Sequence, residues 1–172
     1  EGFTLAVIRK PDDGPLRTAR LQPTRRQPAA AVHEEMKRWL AAPEDYALER
    51  TADGRVRALP RAFRDMVTEL EAHVHVLTAG VPLGEVKGRD AVPSAALALS
   101  SALRPEAFAT VDLPRPEALR YLRREALSLS ADVPRGYVLA AYGGLPLGFM
   151  KQLGPRANNL FPDEWRIRKE LT

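Results

Sequence analysis

Four cations near the end of the sequence, Lys151, Arg156, Arg166 and Arg168, are of the type that holds phosphate oxygens. An arginine guanidinium forks onto two such oxygens, and each phosphate neutralised releases counterions to solvent. The same four could equally be solvated surface charge paired with Asp163, Glu164 or Glu170. Between them stand Asn158 and Asn159, which could hydrogen-bond bases or sugars. Alternatively they support the turn into Phe161 and Pro162, since asparagine tolerates left-handed backbone. Phe161 and Trp165 offer π faces for an unpaired base, against the plainer reading that they plug a small core. Upstream, Arg120, Arg123 and Arg124 cluster on one helical face, either as a phosphate-tracking groove or as solvated charge.

Other chemistry is excluded more firmly. The 172 residues contain no cysteine, which removes thiolate nucleophiles, disulfides and cysteine zinc sites, and fits a reducing, cytoplasmic compartment. His33, His73 and His75 are the only histidines. His73 and His75 would share one side of a strand, but no further ligands stand in suitable positions, so no metal is expected. No Ser–His–Asp spacing, paired carboxylates or strand–Gly-rich turn–helix is recognisable, so neither catalysis nor cofactor binding is expected of this chain. No apolar stretch approaches the roughly 20 residues of a membrane span. The net charge of +4 is compatible with a nucleic-acid partner without requiring one.

The elements that must position these residues follow from periodicity. Gly80-Val81-Pro82-Leu83-Gly84 is echoed by Gly144-Leu145-Pro146-Leu147-Gly148, and Lys87 is echoed by Lys151 at the same offset of 64 positions. Each copy follows an apolar run, 74–79 and 137–142, that reads as a strand preceded by an amphipathic helix. Both copies therefore read as strand–turn–strand. In the second, Gly144, Pro146 and Gly148 could offer backbone N–H groups to a phosphate, or could form only a tight inter-strand turn with Leu147 in the core.

The expected organisation has four parts. Residues 1–10 read as a strand, and 11–30 as a Pro/Arg-rich linker carrying Arg17, Arg20, Arg25 and Arg26. Residues 31–104 form a first α+β unit. It opens with a helix bearing Met36, Trp39 and Leu40, followed by a hairpin of 46–50 and 55–59 around Asp53-Gly54. A helix at 61–72 follows, with Phe63, Met66, Val67 and Leu70 facing the core, and then a helix at 92–103. Residues 105–172 form a second α+β unit with strand 108–113 and a helix after Pro114 carrying Leu119, Leu122, Ala126 and Leu127 inward. Strands 137–142 and 148–153 and a closing strand at 165–168 complete it. A start in mid-strand without methionine reads as a piece of a longer protein.

Gly-Leu-Pro-Leu-Gly-Phe at 144–149, Lys151, Asn158-Asn159, Pro162 and Trp165-Arg166 resemble the PUA-like RNA-binding module that ends the Sun/Fmu-type bacterial RNA cytosine-C5 methyltransferases. Glu1-Gly2-Phe3, Leu5-Ala6 and Arg9-Lys10 resemble the last strand of that family's catalytic domain. The resemblance implies a first C-terminal domain at 31–104 and a PUA-like, β-barrel-type module at 105–172. It implies a parent enzyme that transfers a methyl group from S-adenosylmethionine to C5 of a cytosine in ribosomal RNA, using two cysteines that this chain lacks. Ribosomal RNA and the protein's own N-terminal methyltransferase domain are the implied partners. On this view the cofactor belongs to the absent domain and this chain recruits RNA through Lys151, Arg156, Asn158, Asn159, Arg166, Arg168, Arg120 and Arg124. The alternative is a protein-interaction module that docks on the catalytic domain without touching RNA.

Overall fold

The computed structural model describes residues 32–51, 53–88 and 90–169. The strand and linker expected over 1–30 lie outside the described residues. A first helix, α1 (Val32–Lys37), leads into Trp39 and Leu40, which are buried together with Met36, as the apolar spacing predicts. Pro43 then opens a single 3-10 turn. The expected hairpin follows as β1 (Tyr46–Arg50) and β2 (Arg55–Pro60), paired from Tyr46 opposite Pro60 to Arg50 opposite Val56. Asp53 fixes its turn by accepting the Thr51 hydroxyl and the Arg55 N–H.

Two open four-stranded sheets make up the fold, an α+β architecture with no closed barrel among the described residues. The first sheet continues with β3 (Val81–Lys87) and β4 (Asp90–Pro93), antiparallel throughout in the order β1-β2-β3-β4. The second contains β5 (Ala109–Asp112), β6 (Gly136–Tyr142), β7 (Leu145–Gln152) and β8 (Ala157–Asn159). Here β5 and β6 are parallel, so the chain must cross over between them. The helix α4 (Arg115–Leu122), with proline in its first turn, lies within that crossover.

The 64-residue echo is a repeated bulged strand. In the first sheet Val56 faces Gly84 and Arg57 faces Pro82, which leaves Leu83 without a partner. In the second, Ala140 faces Gly148 and Ala141 faces Pro146, which leaves Leu147 without one. One extra residue on one strand defines a β-bulge, and proline is tolerated within a sheet at such a place. Gly84 and Gly148 sit at φ 157° and 152°. A Cβ at Gly84 would strike the Val92 carbonyl, and one at Gly148 the Tyr121 hydroxyl. The reading of Gly-Val/Leu-Pro-Leu-Gly as a turn is thus corrected: the turn of the second copy is Gly143-Gly144, and Pro146 and Gly148 belong to the strand.

Several other expected elements differ. The run 74–79 joins no ladder, because β3 already occupies the edge of β2, and Val74 and Leu77 are exposed. His73 ends a helix, with His75 in the loop after it, so the two do not share a strand face. The helix expected at 92–103 is split. Val92 and Pro93 pair in β4, and the Ser94 side chain then caps the short α3 (Ala95–Ala98) by accepting the Leu97 N–H. No strand forms at 165–168; Asp163–Trp165 is a 3-10 turn.

Side-chain alternation along β6 and β7 covers both faces of the second sheet. On one face, Leu139 and Phe149 join Met36, Trp39, Leu40, Val56, Leu83 and Leu97 in an apolar cluster that includes residues of both sheets. The rings of Trp39, Phe108 and Phe149 run through it, with centroids 5.5 and 4.7 Å apart. On the other face, Val138, Ala140 and Met150 pack with Ala118 and Tyr121 of α4, and with Leu127 and Phe161. Tyr121 donates from its hydroxyl to the Phe149 carbonyl at 3.1 Å, and burial pushes its phenol pKa up. The remaining helix, α2 (Arg64–His73), buries no residue. Of its expected core stripe, Phe63, Met66 and Leu70 are exposed at 55%, 55% and 45%, and Val67 is half-buried. Ion pairs hold it to the sheet instead, Arg57 with Glu71 and Arg64 with Glu49 (2.8 Å), while Glu49 and Arg57 pair with each other within the sheet at 3.2 Å.

Candidate nucleic-acid interface

The sequence-predicted cations fall into three places. Lys151 lies on β7, and its ammonium is 2.6 Å from the Asp90 carboxylate of β4 and 4.9 Å from the centre of the Tyr137 ring. Asp90, then Tyr137, hold its pKa above the ordinary lysine value. It joins the two sheets, so its charge is already matched. Arg156 closes the loop between β7 and β8, where its carbonyl accepts the Leu153 N–H at 3.0 Å and its side chain is exposed. The Arg135 guanidinium lies beside Gly154 in the same loop.

The third place is the end of α4. Arg120 and Arg123 reach the Glu125 carboxylate at 3.2 and 3.3 Å, and Arg124 and Arg166 converge on one oxygen of Asp163 at 3.1 and 3.3 Å. Ile167 donates its N–H to the Leu122 carbonyl at 3.0 Å, which lays the chain end carrying Arg166 along the helix terminus. Arg168 and Lys169 continue along this segment and are exposed. Among the described residues, Arg120, Arg123, Arg124 and Arg166 thus share two carboxylates, those of Glu125 and Asp163, and Arg168 and Lys169 follow on the same segment. The helix C-terminus, with its partial negative charge, helps to gather these cations.

Local geometry explains why the chain turns here. The Glu125 N–H returns to the Arg120 carbonyl at 3.0 Å and the Arg124 N–H to the Tyr121 carbonyl at 2.9 Å. This is the paired C-terminal cap that usually places glycine in the left-handed position. Arg124 occupies that position with φ 64°. A non-glycine residue there is strained by roughly 1–2 kcal/mol, so a cationic side chain is held where backbone preference alone would choose glycine.

The remaining predicted residues take other roles. The Asn159 side chain donates to the Tyr121 and Glu125 carbonyls at 2.8 and 3.1 Å and accepts the Phe161 N–H at 2.9 Å. Its hydrogen bonds are spent on the helix terminus, so its assignment to RNA is corrected to support. Asn158, its neighbour on β8, is exposed. The Gly144 N–H donates to the Asp112 carboxylate at 3.2 Å, and Gly148 is buried in the ladder under Tyr121. An amide already held by an anion and a buried strand residue do not cradle a phosphate, so that reading of the turn is also corrected.

Phe161 is buried, whereas Trp165 is 48% exposed and meets it edge-on at 6.2 Å. Sequence reasoning missed Tyr121, Arg135 and Asp90. The spacing of three between Ala118 and Tyr121 was a signal for the first, whereas nothing local pairs Asp90 with Lys151. Among the described residues, β5 runs into α4 through Leu113 and Pro114 rather than through a glycine-rich turn.

Comparison with known proteins places these features in a family context. Residues 108–167 match the family described as Methyltransferase RsmF PUA domain. A stretch of 126 residues, 72% of this chain, is 31% identical to ribosomal RNA small subunit methyltransferase F of Shewanella sp. (strain W3-18-1). The same identity and coverage hold for the protein of that name from Shewanella putrefaciens. The chain spans about a quarter of the length of these curated relatives, since the matched stretch is 25% of each. The matched PUA segment includes α4, the second sheet, Asp163 and Arg166.

Proposed function

Because residues 108–167 form a PUA-like module of the RsmF methyltransferase kind, we propose that this chain is the non-catalytic, RNA-recruiting C-terminal region of a cytoplasmic, S-adenosylmethionine-dependent rRNA cytosine-C5 methyltransferase. The observation that carries the reading is the cation excess at the end of α4. Four guanidinium groups sharing two carboxylates among the described residues leave positive charge on an exposed edge, and a polyanion completes it. Guanidinium groups already oriented by Glu125 and Asp163 keep further N–H donors for phosphate oxygens. Backbone charge supplies affinity and register on the RNA, and methyl transfer belongs to the rest of the longer protein.

The first sheet supports a separate role. Phe63, Met66 and Leu70, with Val67, Val76 and Ala79, line an open apolar groove of about 390 Å3. On this reading it is the face through which the region docks on its own N-terminal methyltransferase domain.

The test is a salt-titrated binding assay of the 172-residue chain with a structured small-subunit rRNA fragment. Micromolar or tighter binding is expected, with affinity falling by about 0.7–0.9 log units per log unit of salt for each phosphate contacted. Changing Arg120, Arg124, Arg166 and Arg168 together to alanine should abolish it, whereas Lys151→Ala should leave it nearly unchanged. Equal, salt-insensitive binding by wild type and the fourfold variant would overturn the reading and favour the protein-docking alternative.

A further inference from the structure

We propose that Trp165 is a stacking platform for one unpaired base, so that the surface at the end of α4 takes single-stranded or looped RNA in preference to duplex. This rests on the RNA-binding reading and deepens it.

The ring is fixed from beneath. It meets the ring of Phe161 at 6.2 Å and 72°, and Phe161 in turn meets buried Tyr121 at 5.5 Å. The backbone around it is pinned by the Trp165 N–H on the Pro162 carbonyl (3.2 Å) and the Ile167 N–H on Leu122 (3.0 Å). About half of the side chain remains in solvent although it is the largest apolar group of this edge. A rigid, half-exposed aromatic surface loses little entropy when it binds.

Charge lies beside it. Arg166 follows Trp165 directly, and Arg124 shares with it the single Asp163 oxygen two residues earlier. One carboxylate for two guanidinium groups leaves positive charge next to a π face. That pairing matches a single nucleotide, whose base stacks while its phosphate meets the guanidinium groups. Paired bases in an A-form helix keep their faces covered by their neighbours, so duplex cannot use the platform.

Tryptophan emission offers a direct readout, because the only other tryptophan, Trp39, is 5% exposed. The Trp165→Phe variant supplies the Trp39 spectrum, and its subtraction isolates Trp165. The 172-residue chain would be titrated with an RNA hairpin carrying an unpaired loop and with a fully paired RNA of equal charge. The hairpin should quench Trp165 emission, Trp165→Ala should weaken hairpin binding about tenfold, and duplex affinity should be unchanged. Trp165→Phe should retain most of the hairpin affinity, which separates stacking from any loss of fold. Hairpin binding with unquenched Trp165 and an unaffected alanine variant would overturn the platform and leave the basic edge standing. Failure of the wild type to bind either RNA would overturn the RNA reading itself, and the platform with it.

Discussion

The two sheets carry the same bulged strand 64 positions apart, yet each treats its long helix differently. In the second sheet α4 lies in a parallel crossover and packs on the sheet face, so Ala118 and Tyr121 become core. In the first, α2 is inserted between the antiparallel neighbours β2 and β3, over the face that bears Glu49 and Arg57. Its apolar side lines an open groove with Leu59 and Pro60 instead of closing a core, and its charged side holds on. An amphipathic pattern fixes which side of a helix is apolar, but topology decides whether the chain itself covers that side.

Several substitutions bear on this contrast. The largest effect is expected from Phe149→Ala, which empties the core shared by both sheets and should destabilise by about 3–5 kcal/mol; denaturant unfolding measures it. Met66→Ala, an equally apolar position by sequence, should change stability by less than about 0.5 kcal/mol. A large loss there would show that α2 is covered in solution and would break the comparison. Gly84→Ala and Gly148→Ala should each destabilise by about 1–3 kcal/mol through the clashes with Val92 and Tyr121. A harmless result at one of them would end the equivalence of the bulges.

Smaller effects sharpen the contrast. Burial raises the pKa of Glu49, but the hydrogen bonds from Arg64 and Arg57 outweigh it and hold the carboxyl below its ordinary value of 4.5. A depressed carboxyl contributes stability above its unfolded pKa and loses it as pH falls through the folded one. Thermal unfolding should therefore show an acid-side loss, below about pH 4.5, that Glu49→Gln abolishes, with a size of about 1 kcal/mol or less. Arg124→Gly relieves a left-handed arginine and should stabilise by up to about 1 kcal/mol while weakening RNA binding, which unfolding and binding assays on one preparation would show together.

Features with local causes were legible in the sequence. Asp53-Gly54 announced its hairpin because turn geometry is written in adjacent residues, and the Met36–Leu40 stripe announced its burial. Residues 74–79 have strand composition but pair with no strand, since β3 takes the place beside β2, and that competition is not written locally. Glycine and proline at 80–84 and 144–148 signalled a break in regular pairing, and the break was a bulge inside a strand. At the candidate site the cations were evident, yet their division was not. Lys151 finds Asp90 61 positions away, and Arg124 finds Asp163 39 positions away. Asn159 looked available because nothing nearby in sequence shows that the turns of α4 need its amide.

That amide makes the basic edge vulnerable to chemical ageing. Deamidation of Asn159 would replace an NH2 group with a charged oxygen facing the Tyr121 and Glu125 carbonyls, turning two attractions into repulsions. A change of about one mass unit would then loosen the cap that presents Arg124, 35 positions away in sequence. Slow drift in the RNA affinity of stored protein would be its outward sign.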